Sequence, residues 1–289
     1  MNIGMTTGDL ASRYGDRKAL RLLKQSGFEC VDYSGFKYSA PADFDRNSRD
    51  FAEYYNGLRA YSQSIGISIH QTHTTIPCFS LDPEKERVLF DIAVSAIYAS
   101  ARLGAEYIVL HPITLSDIGD TYKEKLDFSV EYFKKLEGYL KDAGIKGAVE
   151  NVYARSPETH RICAVAGSLA KDIAYISDMS GDSFCNCLDI GHLFLTGEDF
   201  MNAASILADR IKVLHVHDND GVNDNHTAPF ECSIQWEKVC DALKSIGYNG
   251  VFNFEADGFL ARLPDEMVIP RLEYLYKMGR YLSGKIEKQ

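Results

Sequence analysis

Glu150 and Glu255 each close a short apolar run, Gly147-Ala148-Val149-Glu150 and Val251-Phe252-Asn253-Phe254-Glu255. Asp189 and His215 end two further runs between them. A carboxylate is expensive to bury unpaired, so a run such as Phe-Asn-Phe-Glu demands a cation or a dense set of donors. Glu150, Asp189, His215 and Glu255 are therefore the candidate ligands of a divalent metal, and the two glutamates are also the candidate catalytic acid and base. Mixed nitrogen and carboxylate ligation suits Mn²⁺ or Zn²⁺ better than Ca²⁺, with Mg²⁺ and Co²⁺ as further options.

Strand parity sorts the remaining histidines. In Ser68-Ile69-His70-Gln71-Thr72-His73, residues 71 and 73 share one face and His70 takes the other, so His73 is the ligand candidate and His70 faces a helix. His215 and His217 share the interior face of their run, one reaching the metal and the other sitting higher, towards substrate. Leu188-Asp189-Ile190-Gly191-His192 points Asp189 inward while the following turn, eased by the glycine, swings His192 over the same opening. The competing reading makes Asp189 an ordinary cap of the next helix, and leaves His192 unexplained. Asp224-x-His226, in a polar loop, adds two hard ligands. Phe79, in the loop Thr74 to Ser80, is a candidate wall of the substrate site. Arg13, Arg17, Lys18 and Arg155 read as surface charge, and His160 as an exposed residue of a helical stretch.

These side chains need a scaffold that brings eight segments to one rim. Strand candidates fall at Asn2 to Met5, Cys30 to Tyr33, Ile67 to His73, Tyr107 to His111, Gly147 to Glu150, Phe184 to Asp189, Lys212 to His217 and Val251 to Glu255. The ends at His73, His111, Glu150 and Asp189 repeat at about 39 residues, the pitch of β/α units. Between them run helical stripes. Leu89, Ile92, Ala93, Ala96, Ile97 and Leu103 follow a cap and first-turn proline at Asp82-Pro83, and Gly104 stops them. Leu126, Val130, Phe133, Leu136 and Leu140 stop at Gly144; Trp236, Val239, Cys240, Leu243 and Ile246 stop at Gly247. A last stripe, Leu272, Leu275, Met278 and Leu282, precedes a basic tail expected to fray after Gly284. The pattern predicts an α/β fold, a single (β/α)₈ barrel over residues 1–289, with the metal site at the C-terminal face of its strands.

Net charge is −10, from 31 basic against 41 acidic residues, which speaks for a small-molecule substrate and against a nucleic-acid partner. Seven cysteines without a C-x-x-C pair read as reduced, mostly buried thiols of a cytoplasmic protein, Cys185 and Cys187 being compact fillers on one strand face. Neither an export signal nor a membrane-spanning run is visible.

The chain resembles the xylose-isomerase-like β/α-barrel superfamily of sugar isomerases, ketose 3-epimerases, inosose dehydratases and AP endonuclease IV. The carriers are His73, His111-Pro112, Val149-Glu150-Asn151, Leu188 to His192, His215-x-x-Asp218, Asp224-x-His226 and Glu255, in order across nearly the whole TIM-barrel-like chain. In the epimerase branch the metal ligands map to Glu150, Asp189, His215 and Glu255, with His192 on substrate oxygen. His215 is preferred over His217 because it precedes Asp218 at the family's spacing. His73 and His217 join His192 as substrate-binding candidates. In the endonuclease branch a trinuclear zinc site implies nine ligands, so that His73, His111, His192, Asp224 and His226 become additional metal candidates. Two departures stand out. Ala228-Pro229-Phe230-Glu231-Cys232 lacks the family's glycine turn, and residues 219–223 lack the arginine with which some epimerases hold substrate. The resemblance implies a metal-dependent sugar or sugar-phosphate isomerase or epimerase acting on a sugar or cyclitol by proton transfer through an enediolate. The alternatives are an endonuclease IV-like zinc phosphodiesterase and a non-catalytic sugar- or metal-binding barrel, and a homodimer is the assembly such barrels often form.

Overall fold

The computed structural model describes residues 1–36 and 45–287. Eight parallel strands form the central sheet: β1 (Ile3–Thr6), β2 (Cys30–Tyr33), β3 (Ser68–His73), β4 (Tyr107–Leu110), β5 (Lys146–Glu150), β8 (Phe184–Asp189), β9 (Ile211–His215) and β10 (Phe252–Phe254). Their order is β10-β1-β2-β3-β4-β5-β8-β9. The ring closes where Val216 donates to Asn253 O and accepts from Glu255 N, at 2.9 and 3.1 Å. This is the expected (β/α)₈ barrel, with the helices α1 (Gly8–Tyr14), α2 (Asp16–Gln25), α3 (Arg49–Ile65), α4 (Pro83–Leu103), α5 (Tyr122–Ala143), α6 (Ala170–Ser180), α7 (Ile190–Thr196), α8 (Phe200–Leu207), α9 (Trp236–Ser245), α10 (Asp257–Leu260) and α11 (Asp265–Glu287) between and after the strands. Among the described residues no helix is long and apolar enough to cross a membrane.

Helix limits follow local chemistry. Asp82 accepts from the amides of Glu84 and Lys85 ahead of Pro83, and Gly104, at φ 83°, closes α4 in the left-handed conformation that suits a residue without Cβ. Thr121 and Glu124 form a reciprocal capping box at the start of α5. The apolar stripes of α4 and α5 are buried, as their spacing predicts. Two local expectations fail. His160 is exposed as expected, but instead of a helix it sits at φ 56° in the turn of a two-stranded antiparallel hairpin, β6 (Ala154–Arg155) with β7 (Ile162–Cys163), because Ser156 draws the amides of Thr159 and His160 into a turn. The tail does not fray after Gly284: α11 continues to Glu287, and Ile286 is buried.

Inside the ring, Val109, Ala148, Cys185, Cys187 and Val213 form a separate apolar cluster. Four of these stand two residues before His111, Glu150, Asp189 and His215, on the same strand face. Small side chains thus make a floor beneath the donors, and burial raises the thiol pKa of Cys187 well above the ordinary value. The sheet steps register between Val31 and Asp32, so that Asp32 pairs with Gln71 and His70 is left over as a bulge. That step carries Asp32 and Gln71 to the barrel interior.

The closing helix packs tightly across the ring. A Cβ on Gly279 would lie 2.7 Å from both Ile3 Cγ2 and Phe254 Cε2, whereas one on the exposed Gly138 would meet nothing within 4 Å. Gly279→Ala is expected to lower unfolding free energy by about 1–3 kcal/mol through overpacking. Gly138→Ala is expected to raise it by about 0.5–1 kcal/mol through helix propensity. Urea denaturation of both variants checks the opposite signs.

Candidate metal centre

Glu150 is the hub of the rim. It is fully buried at the end of β5, and His215 Nδ1 lies 2.7 Å from its Oε1. His111 Nε2 and His73 Nε2 lie 2.8 and 3.4 Å from its Oε2. His215 Nδ1 also stands 3.2 Å from Glu255 Oε2 and 3.9 Å from Asp189 Oδ2. The structure therefore brings Glu150, Asp189, His215 and Glu255 to one point. His111 and Glu255 lie one residue beyond the strands expected to end on them, and His215, not His217, ends β9.

Around this point the ring nitrogens are already sorted. His73, His192 and His226 each place Nδ1 on a backbone carbonyl, that of Thr74, Asn151 and Glu255 respectively, at 2.7–2.9 Å. A carbonyl only accepts, so Nδ1 carries the hydrogen and Nε2 is the nitrogen left to face the carboxylates, or to ligate a cation that displaces its proton. His226 Nε2 and His192 Nε2 face Asp224 Oδ2 at 2.9 and 3.5 Å. Asp189 fulfils both readings offered by its sequence. Its Oδ1 caps α7 by accepting from His192 N at 2.6 Å, and its Oδ2 faces His215.

The roles of several supporting residues escaped sequence reasoning, although Asn151 and Asp218 stood among the motif carriers. Asp32 Oδ2 lies 2.9 Å from His215 Nε2 and accepts from Gln71 Nε2, fixing the ring so that Nδ1 points to the glutamates. A charge inside the buried run Cys-Val-Asp-Tyr was the available signal. Asn151 clamps the strand ends: its Oδ1 accepts from Asp189 N and its Nδ2 donates to Asp189 O. Asp218 Oδ2 accepts from Phe230 N, Cys232 N and Trp236 Nε1, and its Oδ1 from Ile234 N, so it organises the loop after β9. Tyr153 donates to Asp224 Oδ2, and Asp257 lines the cavity beside Glu255.

The cavity above the hub measures about 540 Å³ and is lined by His73, His111, Glu150, His192, Asp224, His226 and Glu255, with Thr6, Ser34, Tyr153 and Asp257 among its other walls. Two expected substrate contacts lie elsewhere. Phe79 packs edge-on against Phe128 and Tyr132, and Ile76 of the same loop faces the cavity instead. His217 is fully buried beneath the cavity wall, on Asp189. His70, expected to face a helix, packs edge-on to Tyr107 of β4, outside the site. Arg13 and Arg155 make only peripheral contacts, with Asp265 and with His160 O.

Burial penalises every charge here, and the mixture of signs offsets it. Desolvation would raise Glu150, but His215 and His111 hold it well below the usual carboxylate range. His215 and His226 do the same for Glu255, and His192 and His226 for Asp224. Burial lowers His111, whereas against the same burial Glu150 lifts His73 to about 9, and neighbouring carboxylates lift His192 and His226 to about 10. Burial and the Glu255 charge push Asp257 up to about 7. Asp224 Oδ1 and His217 Nδ1 remain buried without a hydrogen-bond partner. Orphaned acceptors beside convergent oxygen and imidazole donors fit one or more divalent cations.

Residues 20–276 match the xylose isomerase-like TIM barrel family, and the chain belongs to that family, as its motifs implied. An uncharacterized protein of Methanocaldococcus jannaschii is 25% identical over 66% of this chain, which spans 64% of that relative's length. A probable endonuclease 4 of Mycoplasmopsis agalactiae is 26% identical over 65% of this chain and 66% of its own. Among solved structures, a D-tagatose 3-epimerase-like protein superposes with TM-score 0.74 at 20% identity, covering 99% of this chain and 100% of its own; at that identity the likeness is one of fold.

Two outcomes follow. A raised histidine stabilises the folded state fully below about pH 6.5 and loses that contribution as pH climbs through 9 to 10; a depressed carboxylate contributes above about pH 4.5 and loses it on acidification. Chelator-treated protein should therefore melt highest between about pH 4.5 and 6.5, and added Zn²⁺ or Mn²⁺ should raise Tm more at pH 8 than at pH 6, since a cation displaces histidine protons. Thermal melts with and without chelator check this; chelated protein that gains stability steadily from pH 6 to 9 would contradict it. Separately, Asp32→Asn is expected to weaken divalent-ion binding about 10–100-fold by calorimetry, through loss of the His215 support.

Proposed function

We propose that this chain is a metal-dependent isomerase or epimerase of a sugar or cyclitol. The observation that carries the reading is the pair Glu150 and Glu255. They rise from β5 and β10, three places apart around the ring, reach the same imidazole nitrogen, and both line the cavity. Two carboxylates bordering one substrate space allow one to remove a carbon-bound proton and the other to return it on the opposite face. Neighbouring histidines keep both ionised, the form that accepts a proton. His192 and His73, with Nε2 directed at the cavity, are placed to contact the substrate oxygen that gains charge. A divalent cation held by Glu150, Asp189, His215 and Glu255, Mn²⁺ or Zn²⁺ by donor type, would supply Lewis-acid polarisation of a carbonyl. The epimerase fold of the solved structures supports the reading.

A second reading, a zinc phosphodiesterase of the endonuclease IV kind, draws support from the nine-donor set around the rim and from the 26% identical relative. The loop after β9 weighs against it. The amides of Phe230, Cys232 and Ile234, where the family's glycine turn would approach a phosphate, are already donating to Asp218.

The test is solvent deuterium exchange into a panel of ketopentoses, ketohexoses and inososes with added Mn²⁺ or Zn²⁺. Glu150→Gln and Glu255→Gln are each expected to slow exchange about 10²–10⁴-fold. Exchange by Glu150→Gln at the wild-type rate removes the proposed base, and incision of an abasic DNA duplex by wild type would install the second reading.

A further inference from the structure

Of the imidazoles at this rim, His217 alone stands outside the nine-donor set, and half of its ring has no assigned purpose. The residue is fully buried, with Nε2 at 3.1 and 3.2 Å from the two Asp189 oxygens. An ionised carboxylate only accepts, so Nε2 carries the hydrogen and donates it. In the neutral ring Nδ1 is then a bare acceptor, and it is buried without a hydrogen-bond partner. Asp224 Oδ1, another buried acceptor without a partner, faces it at 3.7 Å.

Two buried lone-pair atoms opposed at this distance repel unless something positive lies between them. At 3.7 Å the separation is too long for a hydrogen bond, so a shared proton does not resolve it. The other oxygen of Asp224 receives His226 Nε2 and His192 Nε2. One donor atom from each of His192, His217, Asp224 and His226 lies within 4.8 Å of the others. The ring of His217 is also fixed in place. It stacks on His226 at 4.0 Å with an interplanar angle of 10°, and a Cβ on Gly191 would fall on its ring atoms.

We propose that His217 is a ligand, through Nδ1, of a second cation held together with His192, Asp224 and His226, and that Asp189 fixes the tautomer that makes it one. His217 completes a four-donor set of three imidazoles and a carboxylate, a composition that suits zinc. Asp189 then serves both positions, as a ligand to the first cation and as the hydrogen-bond acceptor that orients a ligand of the second. The assignment concerns cation binding alone and is tested without a sugar; with the second cation bound, His192 Nε2 is its ligand and the substrate oxygen is left to His73.

The test uses the full chain, stripped with chelator and titrated with Zn²⁺ by calorimetry, with elemental analysis after desalting. Wild type is expected to bind a second equivalent. His217→Gln, which keeps a donor for Asp189 but lacks the second nitrogen, is expected to bind the second at least about tenfold more weakly while holding the first within roughly threefold. A wild type that stops at one equivalent, or a second equivalent unchanged in His217→Gln, overturns the proposal. If His217→Gln does not fold by circular dichroism, histidine ¹⁵N resonances of wild type decide. The Nδ1 signal of His217 should move with the second zinc equivalent while Nε2 stays protonated; an Nδ1 signal that does not move overturns the assignment.

Discussion

Burial of the Glu150 carboxylate is the constraint around which this molecule is arranged. An ionised carboxylate taken fully out of water has to be repaid locally, and here His215, His111 and His73 close on its two oxygens. Those imidazoles in turn become hard to accommodate without carboxylates of their own. Asp32 backs His215, and Asp224 backs His192 and His226. The result is a web in which removing any one charge leaves its neighbours uncompensated, and in which an oxygen such as Asp224 Oδ1 still lacks a partner. A cation is the natural completion of such a web because it satisfies several acceptors at once.

The scaffold makes the web affordable by fixing geometry before any ligand arrives. Strand alternation places small side chains directly beneath the donors, so the floor is close-packed and apolar while the rim is polar. Backbone carbonyls of Thr74, Asn151 and Glu255 hold three imidazoles by Nδ1 in one orientation. Asn151 ties β5 to β8, so that the carboxylates of Glu150 and Asp189 keep their spacing. Much of the machinery is thus main chain and neutral amide, which adds no further charge to a crowded site.

The loop after β9 shows how one side chain decides which chemistry a rim favours. Asp218 gathers three loop amides and the indole of Trp236, converting an open polar stretch into a fixed wall. Amides spent in this way are not available to a phosphate, whereas the cavity that Asp224 and His226 of the same loop line presents hydroxyl, imidazole and carboxylate groups suited to a polyhydroxylated substrate.

The barrel was legible in the sequence because its causes are local. Apolar runs at a regular pitch, helix stops at Gly104 and Gly144, and the cap at Asp82 depend only on near neighbours. The ends of apolar runs also singled out Glu150, Asp189, His215 and Glu255, while parity left His215 and His217 on one face and the spacing to Asp218 chose between them. Spacing could not disclose the contacts made between strands far apart in the chain. Asp32 reaches His215 only because a bulge shifts β2 against β3 and the ring closes β9 onto β10. Phe79 and His217 looked like substrate contacts by position, yet packing turned one toward Phe128 and Tyr132 and the other onto Asp189. Residue type and periodicity therefore determined the elements and the donor inventory. Closure of the ring decided which donors share a cavity, because distance across a barrel is set by strand order and stagger rather than by separation along the chain.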